Sequence, residues 1–217
     1  DASKPVKAYV LTMNLTRVKP EYTAISDERI DFLRSVMREY GEDNDVEKID
    51  VTDLYESEFA FCPNEGAYCS PYTLLRLFAD KADIPAEKLL YLDADIMFNR
   101  DISLLYDIDV SDVEYAAARG KFLVNPNYVN GGVMLFNMNK VKETGLLCKA
   151  RALIKKKKLP FADQSAIIRS TAKKKMLPQK FNDQKFLHKH TVVRHFSKRL
   201  FYFPYPHTDN IKQWHVE

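Results

Sequence analysis

Four apolar residues, Leu89-Leu90-Tyr91-Leu92, run directly into Asp93-Ala94-Asp95. A continuous apolar run of strand length, bounded by Pro85 upstream and by charges downstream, is the pattern of a strand buried on both faces. Such a strand needs helices covering both sides of its sheet. In extended backbone, residues two apart point to the same side. Asp93 and Asp95 are therefore expected to converge on one point, while Leu92 and Ala94 face the core. In an open α/β sheet the ligand crevice lies at the carboxyl ends of the strands, which is where this pair falls.

The flanking sequence supports the same class. Val6 to Leu11 and Val46 to Val51 read as strands. Between them Ser26 is a helix N-cap with Asp27 and Glu28 in the first turn. Ile30, Leu33, Val36, Met37 and Tyr40 follow at helical spacing, and Gly41 ends the helix. Ser70-Pro71 starts a second helix, carried by Leu74, Leu75, Leu77 and Phe78. Tyr115 to Ala118 and Tyr128 to Asn137 are further strands, the latter interrupted near its start by Asn130-Gly131-Gly132. Helices are predicted from about Asn139 to Lys158 and from about Asp163 to Ala172. Met176-Leu177 and Val192-Val193 are short strands. Strands and helices alternating at this pitch predict an α/β sheet with helices on both faces. No repeat and no Pro-, Gly- or Ser-rich linker divides the chain, so one domain over 1–217 is expected.

Two carboxylates that close repel one another unless a cation lies between them. Their hard oxygens suit magnesium or manganese, which would bridge to phosphates. The competing reading of Asp93-Ala94-Asp95 is a turn with solvated aspartates. Apolar residues make up 46% and charged residues 29%, which excludes disorder of the whole chain. A net charge of +3 calls for neither nucleic acid nor a membrane, and it tolerates a small polyanionic substrate. No run approaches the roughly eighteen apolar residues of a transmembrane helix, and Asp1 to Pro5 do not resemble a signal peptide. Cys62, Cys69 and Cys148 lack Cys-x-x-Cys spacing, which predicts reduced thiols rather than a disulfide framework or a zinc ribbon. The expected location is the cytoplasm, with peripheral contact at the inner face of the membrane as its variant. In that setting Asn14-Leu15-Thr16 is a coincidental sequon. The basic runs Lys155 to Lys158 and Lys173 to Lys175 read as solvated helix ends.

The motifs occur in a fixed order. Ser70-Pro71-Tyr72-Thr73-Leu74-Leu75-Arg76-Leu77 precedes Leu90-Tyr91-Leu92-Asp93-Ala94-Asp95-Ile96. Then come Tyr128-Val129-Asn130-Gly131-Gly132-Val133, Ala162-Asp163-Gln164 and Arg194-His195-Phe196. This ordered set resembles glycosyltransferase family 8, the family of glycogenin and of bacterial sugar transferases of lipopolysaccharide synthesis. The resemblance runs from about Val6 to Trp214.

The resemblance implies a GT-A nucleotide-diphospho-sugar transferase fold with a Rossmann-like mixed sheet, manganese (or magnesium) as cofactor, and a UDP-hexose donor. It implies transfer of glucose or galactose, with retention, to a glycan, lipid-linked or protein acceptor, in cell-surface polysaccharide synthesis. Asp93 and Asp95 match the family's Asp-x-Asp motif, with Asp95 a direct metal ligand and Asp93 shared between metal and donor ribose. His195 matches the third ligand. Arg76 matches the arginine that reaches the donor, and Asn130 the asparagine that holds the transferred sugar. Asp163 and Gln164 match the pair beside the reacting carbon. Each also has a plainer reading: a core histidine, a surface arginine, an Asn-Gly hairpin turn and an acidic helix N-terminus.

Three departures stand out. The family opens with a βα unit that holds uracil, whereas this sequence begins at the family's second strand, so that unit is read as absent from it. The stretch Arg119 to Tyr128 is short for the family's loop. His195 is not followed six residues later by Lys-Pro-Trp; Lys212-Gln213-Trp214 comes after an insertion, making Lys212 the candidate phosphate lysine and Lys198 the second choice. His188 and His190 alternate, with Asp183 as their one acidic neighbour, and are weak metal candidates.

Retention is compatible with a covalent carboxylate intermediate or with attack on the face that the leaving group vacates. The front-face route is preferred because no clear nucleophile shows. Two rival readings remain. One is a phosphatase of the haloacid dehalogenase class, which Ile96, Met97 and the late position of the motif fit poorly. The other is a non-catalytic sugar-nucleotide or glycan-binding module.

Overall fold

The computed structural model describes residues 2–66, 70–120, 127–185 and 187–197. In chain order its elements are β1 (Lys7–Thr12), α1 (Asp27–Glu39), β2 (Asp45–Asp50), α2 (Thr52–Phe59), a 3₁₀ helix (Pro71–Phe78), β3 (Lys88–Leu92), β4 (Ile96–Phe98), α3 (Ser103–Tyr106), β5 (Tyr115–Arg119), β6 (Val129–Asn137), α4 (Met138–Thr144), α5 (Leu146–Lys156), α6 (Ala162–Ser170), β7 (Lys174–Leu177), a short 3₁₀ helix (Gln179–Phe181) and β8 (Val193–His195). They form two units. One comprises Lys4–Glu87 with Met138–Ala172; the other comprises Lys88–Asn137 with Asp1–Ser3 and the stretch from Lys173 onward.

In the first unit β1 and β2 pair in parallel, from Lys7 opposite Asp45 to Thr12 opposite Asp50. Ser26 caps α1 as expected, its side chain accepting from the Arg29 amide at 3.4 Å. Burial of α1 departs from its apolar pattern: Ile30 is buried, but Leu33 and Tyr40 are exposed. Arg34, not an apolar side chain, ties the helix to β2, donating to Asp45 Oδ1 (3.0 Å) and to the Val46 carbonyl (2.8 Å). Ser70-Pro71 opens a 3₁₀ helix rather than an α-helix, and Leu74, Leu75, Leu77 and Phe78 are all buried in it. Tyr55, Phe59 and Phe78 pack there as an aromatic trio, with Phe59 and Phe78 centroids 5.1 Å apart.

The helix expected over 139–158 is two helices. Gly145, at φ +68°, breaks it into α4 and α5. That left-handed conformation is open to glycine at little steric cost. The buried Asn64 satisfies the end of α5, donating to the Ile154 and Lys157 carbonyls (2.7 and 2.8 Å) and accepting from the Leu159 amide (2.8 Å).

In the second unit the sheet order is β3-β6-β5-β7. β3 and β5 flank β6 antiparallel, and β7 joins β5 in parallel. The sheet is mixed, as the GT-A expectation requires. β6 and β5 are the buried centre, with Tyr115 to Ala118 and Val133 to Phe136 at 1% exposure or less. β3 corrects the sequence reading, because all five of its residues are only half-buried. Its one hydrogen-bonded neighbour among the described residues is β6, so it is an edge strand in this sheet, and an apolar run alone does not distinguish an edge from a centre. Asn130-Gly131-Gly132 is also not a hairpin; it lies within the continuous strand β6. A small antiparallel ladder, β4 with β8, pairs Ile96 with His195, Met97 with Arg194 and Phe98 with Val193.

Candidate metal centre

The acidic pair leaves the end of β3. The Asp93 amide donates to the Gly132 carbonyl at 2.9 Å, continuing the β3–β6 ladder by one step. The backbone then bends at Ala94 and Asp95 before β4 begins. The carboxylates therefore converge across a bend rather than along extended strand, and Ala94 is exposed rather than facing the core. Tyr91 lies two residues before Asp93, and its hydroxyl donates to Asp93 Oδ1 at 2.7 Å.

The third group arrives from far along the chain. Pairing of β4 with β8 sets His195 opposite Ile96, and the Phe196 amide donates to the Asp95 carbonyl at 2.8 Å. Ligand atoms of Asp93, Asp95 and His195 all lie within 4.8 Å of one another. His195 Nε2 is 3.2 Å from Asp95 Oδ1 and 3.8 Å from Asp93 Oδ2. The imidazole is buried at 3% exposure, whereas the Asp93 and Asp95 side chains keep 32% and 27%. The group thus has a buried base at its floor and carboxylates open to solvent.

Space at this point is closely shaped. A Cβ on Gly132 would lie 2.2 Å from His195 Cε1 and 2.7 Å from Asp93 Oδ2, so only glycine fits between them. Behind His195 lies a layer of amides. Asn182 Oδ1 is 2.9 Å from His195 Nδ1, Asn182 Nδ2 donates to Asn130 Oδ1 (2.9 Å), and Asn130 Nδ2 donates to Gln184 Oε1 (3.2 Å). Asn130 is thereby connected to the histidine through one intervening side chain.

Asp183, next in sequence to Asn182, does a different job. Burial pushes its carboxyl up, but hydrogen bonds from His188, Thr191 and Gln179 outweigh that and hold it below the ordinary carboxylate range. Its backbone carbonyl accepts from the His195 amide (2.9 Å) and from the buried Arg194 guanidinium (3.1 Å). His188 is committed to Asp183. Among the described residues the one cluster of metal-ligating side chains is Asp93, Asp95 and His195.

The other candidates belong to the first unit. Arg76 sits in the long 3₁₀ helix and Asp163 in the first turn of α6, both buried, with Arg76 Nε 2.6 Å from Asp163 Oδ2. Gln164 is the next residue of α6 and is half-buried. Lys198 and Lys212 lie outside the described residues, as does Cys69. Cys62 and Cys148 are free thiols.

Sequence reasoning gave no role to Tyr91, Gly132 or Asn182. The two-residue spacing of Tyr91 from Asp93 was a usable signal. No local pattern marks Asn182, because its partners come from β6 and β8.

The sequence model of glycosyl transferase family 8 matches residues 8–199. The chain belongs to glycosyl transferase family 8. A putative glycosyltransferase of Haemophilus influenzae is 30% identical over 116 residues, spanning 48% of this chain and 35% of that protein. The chain therefore matches little more than a third of the length of this curated family relative. Among solved structures, galactosyltransferase LgtC in complex with donor and acceptor sugar analogs superposes with a TM-score of 0.59 at 15% identity, over 88% of this chain and 86% of that chain. The glycosyltransferase GlyE of Streptococcus pneumoniae gives 0.67 at 19% identity, over 99% of this chain and 54% of that chain. At these identities the likeness is one of fold, and the family 8 chain has the GT-A fold. The haloacid dehalogenase reading loses its support. Among the described residues no helix is long and apolar enough to cross a membrane.

Proposed function

We propose that this family 8 chain is a metal-dependent retaining glycosyltransferase that moves a hexose, glucose or galactose, from a UDP-sugar to a glycan, lipid-linked or protein acceptor. The observation that carries the reading is the convergence of Asp93, Asp95 and His195 at the end of β3. The donor set fits a divalent cation: two hard carboxylates suit magnesium or manganese, and an imidazole beside them favours manganese. The glycine at 132 keeps the space between His195 and Asp93 clear.

A bound divalent cation supplies Lewis-acid stabilisation of the negative charge that develops on a departing diphosphate. The protein's part is to hold the ligands still. Tyr91 orients Asp93 through its hydroxyl. Asn130 is the candidate sugar-holding amide and Gln164 the candidate neighbour of the reacting carbon. Arg76 holds Asp163 as a buried pair. A carboxylate engaged by a guanidinium is a weak nucleophile, which supports the front-face route to retention. Lys198 and Lys212 remain candidates for the diphosphate.

Chelator-stripped protein should regain UDP-glucose or UDP-galactose hydrolysis, followed by mass spectrometry, when manganese is returned. Asp95→Asn should lose about a hundredfold or more in turnover, and Asp93→Asn should keep part of its manganese affinity. Full activity in excess chelator, or wild-type turnover of Asp95→Asn at limiting manganese, overturns the reading. Donor binding without turnover would support a sugar-nucleotide-binding module instead.

A further inference from the structure

The hydrogen bonds behind His195 have a polarity that can be read from one end. The Gly132 amide can only donate, and it donates to Asn130 Oδ1 at 2.9 Å. That fixes the Asn130 oxygen as the acceptor at this point. Asn182 approaches the same oxygen at 2.9 Å, so the atom it presents is its NH₂. The other end of the Asn182 amide is then its carbonyl, which lies 2.9 Å from His195 Nδ1. A carbonyl accepts and does not donate, so Nδ1 carries the proton. In a neutral imidazole the other nitrogen is then a lone pair. Nε2 faces Asp95 Oδ1 at 3.2 Å and Asp93 Oδ2 at 3.8 Å.

We propose that Asn182 is the positioning residue of the centre, setting the tautomer and ring orientation of His195 through an amide relay anchored at the Gly132 backbone. Asn182 is 1% exposed. Its backbone amide donates to the Gln179 carbonyl at 2.8 Å, which fixes the main chain that carries this side chain. The consequence is three acceptors aimed at one point, an arrangement that a cation relieves. Metal-ligating histidines are commonly oriented this way through their second nitrogen, and losing the partner costs about 10- to 100-fold in metal affinity. The functional meaning of the relay rests on the manganese site proposed above; the tautomer does not.

The test uses two readouts on the whole chain. Nitrogen-15 NMR of His195 in metal-free protein at alkaline pH should give a protonated Nδ1 and a lone-pair Nε2. An Nε2–H tautomer, or a persistent imidazolium, in the wild type overturns the proposal. Manganese affinity and the imidazole nitrogen coupling in pulsed EPR are then compared in Asn182→Leu, which removes the acceptor, and Asn182→Asp, which keeps it. The Leu variant should bind manganese about 10- to 100-fold more weakly with the coupling reduced, and the Asp variant should retain both. Wild-type affinity in Asn182→Leu, or loss of both signals in a folded Asn182→Asp, overturns it. A wild type that binds no manganese instead defeats the metal reading, and the NMR result still decides the tautomer.

Discussion

One methyl group at position 132 probes the geometry of the centre without removing a ligand. In Gly132→Ala the new carbon would sit 2.2 Å from His195 Cε1, 2.8 Å from His195 Nδ1 and 2.7 Å from Asp93 Oδ2. Comfortable separations between such atoms are about 3.5–4.0 Å, so the ring must retreat by more than ~1 Å. It has little room to do so, because it is buried, held at Nδ1 by Asn182 and fixed at its backbone by Asp183. The other side is no softer: the Gly132 carbonyl is tied to the Asp93 amide within the β3–β6 ladder. Gly132 is not among the residues at positive φ, so the penalty is steric and not conformational. Overpacking of this kind costs about 1–3 kcal/mol, or roughly 2–4 °C in Tm per kcal/mol for a chain of this size. A displacement of ~1 Å at reacting groups costs on the order of a hundredfold in rate. The variant should therefore melt lower, bind manganese more weakly in an EPR titration of free ion, and turn over donor on the order of a hundredfold more slowly. A folded Gly132→Ala with wild-type manganese affinity would refute the argument that close contact at this glycine positions His195 and Asp93.

Two further perturbations address the first unit. Arg76→Met strips the partner from buried Asp163 and should destabilise by about 3–5 kcal/mol in urea denaturation, whereas Arg76→Met combined with Asp163→Leu should recover most of the loss; a single variant as stable as the wild type would contradict the pairing. Glu58 is held down to about 2, first by its hydrogen bond from Lys155 and then by that from Lys81. Its folded pKa is depressed, so its stabilisation is present above the ordinary value of about 4.3 and is lost as pH falls through about 2. Tm measured from pH 7 down to pH 2 should drop less steeply below pH ~4.3 in Glu58→Gln than in the wild type, and parallel curves would count against the assignment.

Most strands were legible because their apolar runs are short and bounded by turn residues, a signal carried within a few positions. The elements that escaped lack such a signal. α2 begins after Val51, which offers no capping side chain. β4 is three residues long and exists as strand only through its pairing with β8. At Gly145 the buried stripe changes phase, from Met138 and Val141 in α4 to Leu146, Leu147, Ala150 and Ile154 in α5, so a single helix over 139–158 gives way to two at one positive φ. Burial was harder to read than element type. The run in β3 looks central but lies half-buried at an edge, and the apolar stripe of α1 includes an exposed Leu33 and Tyr40. In each case the neighbour that decides exposure is absent from the local sequence.

The centre divides the same way. Asp93 and Asp95 lie two residues apart in sequence, and their convergence was foreseeable, although its cause was not. Period-two extended backbone would have set both on one face with Ala94 inward; the bend after β3 brings them together with Ala94 exposed. A bend tolerates that outcome because β4 begins immediately afterwards and is pinned by β8. The same ladder delivers His195, so the position of the third ligand and the angle between the first two share one structural cause. Contacts of such long sequence separation leave no periodic trace, which is why His195 was reached only through the ordered motifs. The hairpin alternative for Asn130-Gly131 fails for a related reason, because the whole Asn130-Gly131-Gly132 segment lies within β6. The second glycine is there because an imidazole and a carboxylate occupy the space its side chain would need, a demand made by residues outside β6.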